Sequence, residues 1–597
     1  MRFGVAVHLT CLLGCAVLTL GCSGGSSPST PPNQNTNEQT GSSAAPGSLL
    51  SDDMFDDILQ SEPISDPPTF REVAKETGLQ FRYYNDAREQ RYYFPEILGG
   101  GIACFDYDLD GQTDVYCANG RGMPIGNDDD QHFDQMFRSD RLGHFSNVTD
   151  LTRIRENRFS HGCAFGDLNS DGFEDIAIAG FGSEENNGIS VYLNQGDGTF
   201  LQVADQVVNV YPTWSTCPLI TDLNNDGHPD LFVLNYVGWT YNIPACTYDS
   251  IRGYCGPGQF NPLRNYAFIN DQSGSFQEMG DQLGFTQRGK GLAISAVDFN
   301  HDLNPELYIA NDLVVNFLYG QDPENPGHYI EQGGPLGVAV ADNGHDEASM
   351  SVTPADFDRN GFADLFVTNY YKQKNTLYLN REGQRFQDVS FSARTHATGE
   401  PFLGFGAVPI DYNRDGWMDL FVGNGHVLGP EHNPNQMTNQ ILKNEEGVFH
   451  DVSRAAGEYF QIKTLSRGSA TIDLDQDLDT DILVNHIDRP MSVLRNDTES
   501  SNHAIGVSLV SPQHLPLEGS RIDLVVEGVQ QTIPITAGGS YLSDPERKWI
   551  VGTGTSQSVN VTVYWRDGRV DQWDNLAVDR YWRFAPGRKW AQAPAGK

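Results

Sequence analysis

Asp106-Tyr-Asp108-Leu-Asp110-Gly111-Gln-Thr-Asp114 is the stretch on which the reading of this 597-residue chain turns. Oxygen-bearing side chains fall at positions 1, 3, 5 and 9, and glycine at position 6 permits a sharp bend. Alternate residues of a tight loop point inward, which suits a hard cation that accepts six to eight oxygens. Ca2+ fits this better than Mg2+, whose octahedron is tighter. Variants begin at Asp167, Asp222, Asp298, Asp356, Asp411 and Asp473, so seven loops recur at intervals of 55 to 76 residues.

The candidate ligands follow position by position. Loop 1 offers Asp106, Asp108, Asp110 and Asp114, and loop 7 offers Asp473, Asp475, Asp477 and Asp481. Loop 2 has Asp167, Asn169, Asp171 and Asp175; loop 3 has Asp222, Asn224, Asp226 and Asp230; loop 6 has Asp411, Asn413, Asp415 and Asp419. Loop 5 places its amide fifth, with Asp356, Asp358, Asn360 and Asp364. Loop 4 departs furthest: Asp298, Asn300 and Asp302 end in Glu306, and Leu303 replaces the glycine, as Leu478 does in loop 7. Backbone carbonyls at position 7, such as those of Gln112 and Phe173, would complete each shell. The expected cofactor is Ca2+, several ions and up to seven. Flanking helices and a twelfth-position glutamate, which an EF-hand needs, are missing.

Each loop sits between apolar runs of strand length, such as Ile102 to Phe105 and Val115 to Ala118. A second phrase recurs later in each unit: a strand, a polar turn, then Phe and a short run, as in Tyr192-Leu-Asn-Gln-Gly-Asp-Gly-Thr-Phe200. The seventh unit begins this phrase at Val493-Leu-Arg-Asn496 and lacks its Phe strand. Phe70-Arg-Glu-Val73 resembles the missing piece. A fixed period of this length indicates four-stranded blades, and the first strand pairing with the last blade would close the ring and remove an exposed edge.

The formal charge of -40 disfavours nucleic acid and anionic lipid. Arg2 and the apolar run to Leu20 form an export signal. Leu18-Thr-Leu-Gly-Cys22 resembles a bacterial lipobox, making Cys22 the expected lipidation site. Leu12-Leu-Gly-Cys15 is a rival box, and ordinary cleavage is the plainer reading. Membrane contact is thus expected through the N-terminal lipid only. Residues after Cys22 are rich in Ser, Gly, Pro and Asn and read as a tether. Six further cysteines suggest disulfides in an oxidising compartment: Cys246 with Cys255, Cys104 with Cys117, and Cys163 with Cys217 by elimination.

The acidic loops are similar to FG-GAP/VCBS repeats. Phe94-Pro-Glu-Ile-Leu-Gly-Gly-Gly-Ile102, Tyr254-Cys-Gly-Pro257, Ala310-Asn-Asp312, Asn316-Phe-Leu-Tyr319 and Gly423-Asn-Gly-His-Val427 resemble the cartilage acidic protein-like ASPIC/UnbV family. Asn502-His503, Ala537-Gly-Gly-Ser-Tyr-Leu542 and Trp565-Arg-Asp-Gly-Arg569 resemble its C-terminal module, from which Ser543 to Trp549 departs. The resemblance implies an all-β protein: a seven-bladed calcium-binding β-propeller followed by a small C-terminal β domain. The expected organisation is a signal peptide at 1–21, a tether at 22–66, the propeller at 67–499 and the β domain at 500–590.

No catalytic constellation emerges. Gly21-Cys-Ser-Gly-Gly25 lies at the lipobox, and His345, Asp346, Glu347, Glu431 and His432 read as turn residues. The largest insertion, Tyr236 to Asn265, carries Trp239, Tyr241, Tyr248 and Tyr254 on a loop stapled by Cys246 and Cys255; these suit sugar or protein contact, or else they cover the blade edge. The expected function is an outer-membrane, periplasmic or surface binding protein for a glycan or protein partner. A polysaccharide-active enzyme using the propeller channel and an envelope scaffold are the alternatives.

Overall fold

The computed structural model describes residues 66–125, 131–182, 188–203, 214–271, 275–511 and 515–592, so the leader, Cys22 and nearly all of the tether lie outside the described residues. No helix among these is long and apolar enough to cross a membrane.

Alternating apolar residues on both sides of each acidic loop make two strands whose side chains bury on opposite faces of one sheet. Among the described residues seven such antiparallel sheets result, six of four strands and the fourth of five. In the second, Phe159–Gly166, Asp175–Phe181, Ile189–Asn194 and Phe200–Gln202 succeed one another outward. The ninth loop residue opens the second strand of every sheet, as Asp114, Asp175, Asp230, Glu306, Asp364, Asp419 and Asp481 do. First strands of successive sheets pack side by side, and Ser466–Ile472 of the seventh packs on Ile102–Phe105 of the first, closing the ring.

The seventh sheet takes its outer strand from the start of the domain. Phe70–Glu72 pairs antiparallel with Ser492–Asn496, Phe70 opposite Asn496. Phe70 is buried against Phe460, with ring centroids 5.9 Å apart.

Residues 503–592 form a second layer pair. One sheet holds Trp549–Gly554, His503–Leu509, Arg580–Ala585 and Arg588–Gln592; the other holds Val529–Pro534, Arg521–Val526, Ser558–Tyr564 and Val570–Ala577. Ile505, Val507, Ile522, Leu524, Val561 and Phe584 fill the space between them.

From this module a segment enters the axis of the ring. Ala537–Gly538 adds as a fifth strand to Gly291–Val297 of the fourth sheet. Tyr541 and Leu542 are wholly buried. The Tyr541 hydroxyl donates to the Leu98 carbonyl at 3.0 Å, and its ring meets Phe405 at 4.9 Å. The Leu542 carbonyl accepts from Cys163 N at 3.2 Å, and the Asp544 backbone exchanges bonds with Ile102 and Cys104. Gly101 shows how close this approach is: an added Cβ would lie 1.7 Å from the Leu542 carbonyl oxygen. The channel that the alternative enzyme reading would use as a substrate route is therefore filled. Glycines on the inner strands let neighbouring blades and the inserted chain approach closely: an added Cβ would lie 2.2 Å from the Thr216 carbonyl oxygen at Gly162, 2.6 Å from the Arg467 carbonyl oxygen at Gly406, and 2.9 Å from the Ser543 hydroxyl at Gly468.

The opposite mouth is capped by the 3-10 turn Phe94–Ile97, whose Phe94 ring meets Trp214 at 5.2 Å. The insertion folds over the same mouth. Cys246 and Cys255 are bridged, but Trp239 and Tyr254 are buried in the common core. Tyr254 donates to the buried Glu96 carboxylate at 2.6 Å, and the Tyr241 hydroxyl accepts from Ile125 N at 2.9 Å. The stapled loop is thus a cover through Trp239 and Tyr254, the covering role being one of the two read from sequence, while Tyr241 and Tyr248 are half-buried.

The other two expected disulfides are absent; Cys104, Cys117, Cys163 and Cys217 are free buried thiols. Register explains the first: Cys104 stands opposite Val115 and Cys117 opposite Ile102, so the two cysteines are diagonal neighbours, about 7–8 Å apart in such a ladder and beyond disulfide reach. Cys163 and Cys217 face different clusters of the core.

Candidate metal centres

One hydrogen-bond frame builds all seven loops. The position-1 carboxylate accepts the backbone N–H of positions 5 and 6, as Asp106 does from Asp110 at 3.0 Å and Gly111 at 2.9 Å. Position 5 accepts from position 7, and position 9 accepts from position 2: Gln112 N meets Asp110 at 2.9 Å, and Tyr107 N meets Asp114 at 3.2 Å. Loops 2 to 7 repeat the pattern through Asp167, Asp222, Asp298, Asp356, Asp411 and Asp473 at position 1. Positions 4 and 6 are both left-handed in every copy. Leu109, Ser170, Asn225, His301, Arg359, Arg414 and Gln476 have φ of 55° to 64°. Leu303 and Leu478 hold φ of 73° and 70° where the other loops use glycine. Leu478 packs on Ala504, Ile550 and Tyr581 of the C-terminal module, which offsets the roughly 1–2 kcal/mol cost of a left-handed non-glycine residue.

A residue at the end of the third strand links blade to blade. Asn380 N donates to Asp364 at 2.7 Å, while its side-chain amide donates to the Phe299 carbonyl of the preceding loop at 2.8 Å. Asn194, Asn270, Asn444 and Asn496 do the same toward Tyr107, Leu168, Phe357 and Tyr412. Sequence reading missed this role, although the signal was there: Asn closes the strand in each of these phrases.

The loops divide by the residue at position 3. In loops 1, 5 and 7 three carboxylates converge: Asp106, Asp108 and Asp114; Asp356, Asp358 and Asp364; Asp473, Asp475 and Asp481, each set with ligand atoms within 4.8 Å of one another. Asp108 Oδ1 is buried with no hydrogen-bond partner. An arginine stands beside each trio. Arg138 reaches Asp108 at 2.5 Å and Asp110 at 2.8 Å, Arg381 reaches Asp358 at 3.1 Å, and Arg495 lies 3.9 Å from Asp475. In loops 2, 3, 4 and 6 the Asn amide already donates into the fifth carboxylate, Asn169 to Asp171, Asn224 to Asp226, Asn300 to Asp302 and Asn413 to Asp415, at 2.8 to 3.2 Å. Glu306, one methylene longer, also turns back onto Asn300 at 2.7 Å. In loop 5, Asn360 sends its amide to the Asn380 carbonyl instead.

Electrostatics agree with the donor chemistry. Burial, and then the adjacent carboxylates, push Asp114 up to about 8 against hydrogen bonds that pull it down, and Asp356 up to about 7. Asp364, Asp473 and Asp481 are raised well above the ordinary range for the same reasons. Convergent buried carboxylates with a spare acceptor fit a hard divalent cation, which would remove their mutual repulsion.

The FG-GAP-like repeat family matches residues 106–178, 167–233 and 356–422, and the ASPIC and UnbV family matches residues 513–590. The chain carries FG-GAP-like repeats and an ASPIC and UnbV module. Cartilage acidic protein 1 of Mus musculus is 22% identical over 303 residues, covering 50% of this chain and 45% of that protein. The Xenopus tropicalis protein of the same name is 22% identical over 289 residues, covering 47% and 42%. The chain thus spans less than half the length of these curated relatives. Among solved structures, a lectin of Agrocybe aegerita described as recognising non-reducing terminal N-acetylglucosamine covers 66% of this chain and 87% of its own, with a TM-score of 0.34 and 13% identity. An exotype rhamnogalacturonan lyase covers 68% and 90%, with a TM-score of 0.27 and 10% identity. Scores this low bear on neither ligand nor activity.

Glu347 and His432, together with His426, are engaged in local hydrogen bonds. Glu347 accepts from Thr376 at 2.8 Å and Asn369 at 3.2 Å, His426 Nδ1 accepts the N–H of Val427 at 2.9 Å, and His432 Nε2 meets the Arg252 carbonyl at 3.2 Å.

Proposed function

We propose that this chain is an exported, calcium-loaded recognition module for a glycan or protein partner, tethered through lipid on Cys22. The convergence of three carboxylates in each of loops 1, 5 and 7 supports the calcium reading and singles out those loops as the tight sites. Bound Ca2+ would supply charge neutralisation and cross-linking of the turns. Asp106, Asp108 and Asp114 would hold one ion, with the corresponding trios of loops 5 and 7 holding two more. The loops with Asn at position 3 carry less charge and would bind more weakly. The bridge between Cys246 and Cys255 suits an oxidising compartment, and the filled channel weighs against a substrate path through the ring.

Two measurements test this. Equilibrium dialysis against micromolar Ca2+ should retain about three tightly held ions; a protein that retains none, with an unchanged melting curve in EDTA, overturns the calcium reading. The calcium-loaded protein, immobilised, should retain a polysaccharide or an envelope protein from an extract. Retention of neither class removes the recognition reading.

A further inference from the structure

The C-terminal module stands on the metal face of the ring by donating to position-1 carboxylates. Gly552 N reaches Asp411 at 2.8 Å, Thr532 N reaches Asp356 at 3.3 Å, Arg566 pairs with Asp222 at 3.2 Å, and the Tyr581 hydroxyl bonds Asp473. Over loops 1 and 2 the module instead stands away and leaves a cleft of about 450 Å³, within the range of small-ligand sites. Its floor is the stem of the axial segment, with Arg547 and Lys548, and its walls carry Glu518, Leu515, Trp549 and Arg583.

Glu518 is only 4% exposed. One oxygen faces Arg547 at 3.4 Å, and the other has no hydrogen-bond partner. Arg547 Nε is likewise buried without a partner, although the same guanidinium donates to the Phe165 carbonyl at 3.0 Å. The two charges are paired, and Arg547 also reaches Asp544 at 3.5 Å, but each group keeps one buried polar atom without a hydrogen bond, and a ligand that both donates and accepts relieves both at once. Arg583 is exposed and makes no ion pair among the described residues. Acidic and basic groups therefore stand side by side around the cleft, so a ligand of either net charge meets a like charge. Hydroxyl groups satisfy a carboxylate and a guanidinium together. The half-buried Trp549 and Leu515, 40% exposed, add apolar surface at the same opening, where the C–H faces of a sugar ring can lie.

We propose that this cleft is a binding site for a neutral oligosaccharide, its hydroxyls held by Glu518, Arg547 and Arg583 and its carbon faces by Trp549 and Leu515. The assignment rests on the recognition reading and narrows it to a glycan at one place. Isothermal titration of the calcium-loaded full chain with cellotriose, xylotriose, mannotriose, galactotriose and chitotriose, and with trigalacturonate as the anionic probe, tests it. At least one neutral trisaccharide should bind. Glu518→Gln should weaken it roughly tenfold by losing a charged acceptor, and Leu515→Arg, at an exposed position, should block it without unfolding the chain. Neutral binding that both variants leave intact overturns the cleft while the recognition reading stands. Binding of trigalacturonate alone overturns the neutral class. If no trisaccharide binds while the immobilised protein still retains a partner, the cleft proposal alone fails.

Discussion

Position 9 of each loop shows what a single carboxylate can decide. Asp114 and Asp175 are pushed up to about 8 by burial, and Asp230 up to about 7, whereas an unfolded aspartate titrates near its ordinary value. Without metal, the folded state therefore holds protons that the unfolded chain has already released between about pH 4 and pH 8. Stability of the metal-free protein should be highest at the acidic end of that window and fall as pH rises through it. Saturating calcium should flatten the dependence, and melting curves across the window in EDTA and in calcium check both. Position 3 separates the loops whose three carboxylates converge from those in which an amide stands there. Asp358→Asn gives loop 5 the amide of its weaker siblings, and should lower the affinity of that loop about tenfold or more by removing ligand charge. A titration that still counts the same number of tight ions would show that the trio of loop 5 is not a site.

Strands and their ends carry the next level. Phe70 lies in a three-residue strand, yet it closes the seventh sheet and packs with Phe460, Phe421 and Leu494. Phe70→Ala should destabilise the ring by about 3–5 kcal/mol, read as a shift of the urea midpoint. An unchanged midpoint would mean that the closing strand is dispensable. These elements were legible because strand periodicity and loop spacing are local properties. The third-strand Asn was printed in the same phrases but not read, since its partner carbonyl belongs to the preceding blade. Left-handed backbone at position 4 was hidden for another reason: six residue types occupy it across the seven loops, and none is glycine.

Across the molecule, docking of the C-terminal module and the frame of the acidic loops share the same carboxylates. Asp356, Asp411 and Asp473 each accept from their own loop and also from Thr532 N, Gly552 N or the Tyr581 hydroxyl. Chelation should loosen this seat before the ring melts. Hydrogen exchange at the Thr532 and Gly552 amides should accelerate in EDTA while the inner-strand amides stay protected. Equal protection with and without calcium would separate the docking from the loops.

Repetition, charge and spacing were enough to establish seven acidic loops, the strands beside them and the strand that closes the ring, because each follows from a short window of chain repeated in register. The filled axis, the buried aromatic cover, the free thiols and the cleft beside loops 1 and 2 were decided only by tertiary structure. Each depends on which surfaces meet across hundreds of residues. Glycine at position 101 has meaning only beside the Leu542 carbonyl, and Glu518 matters only because the module seats it in the wall of a cleft with its second oxygen buried and unpaired.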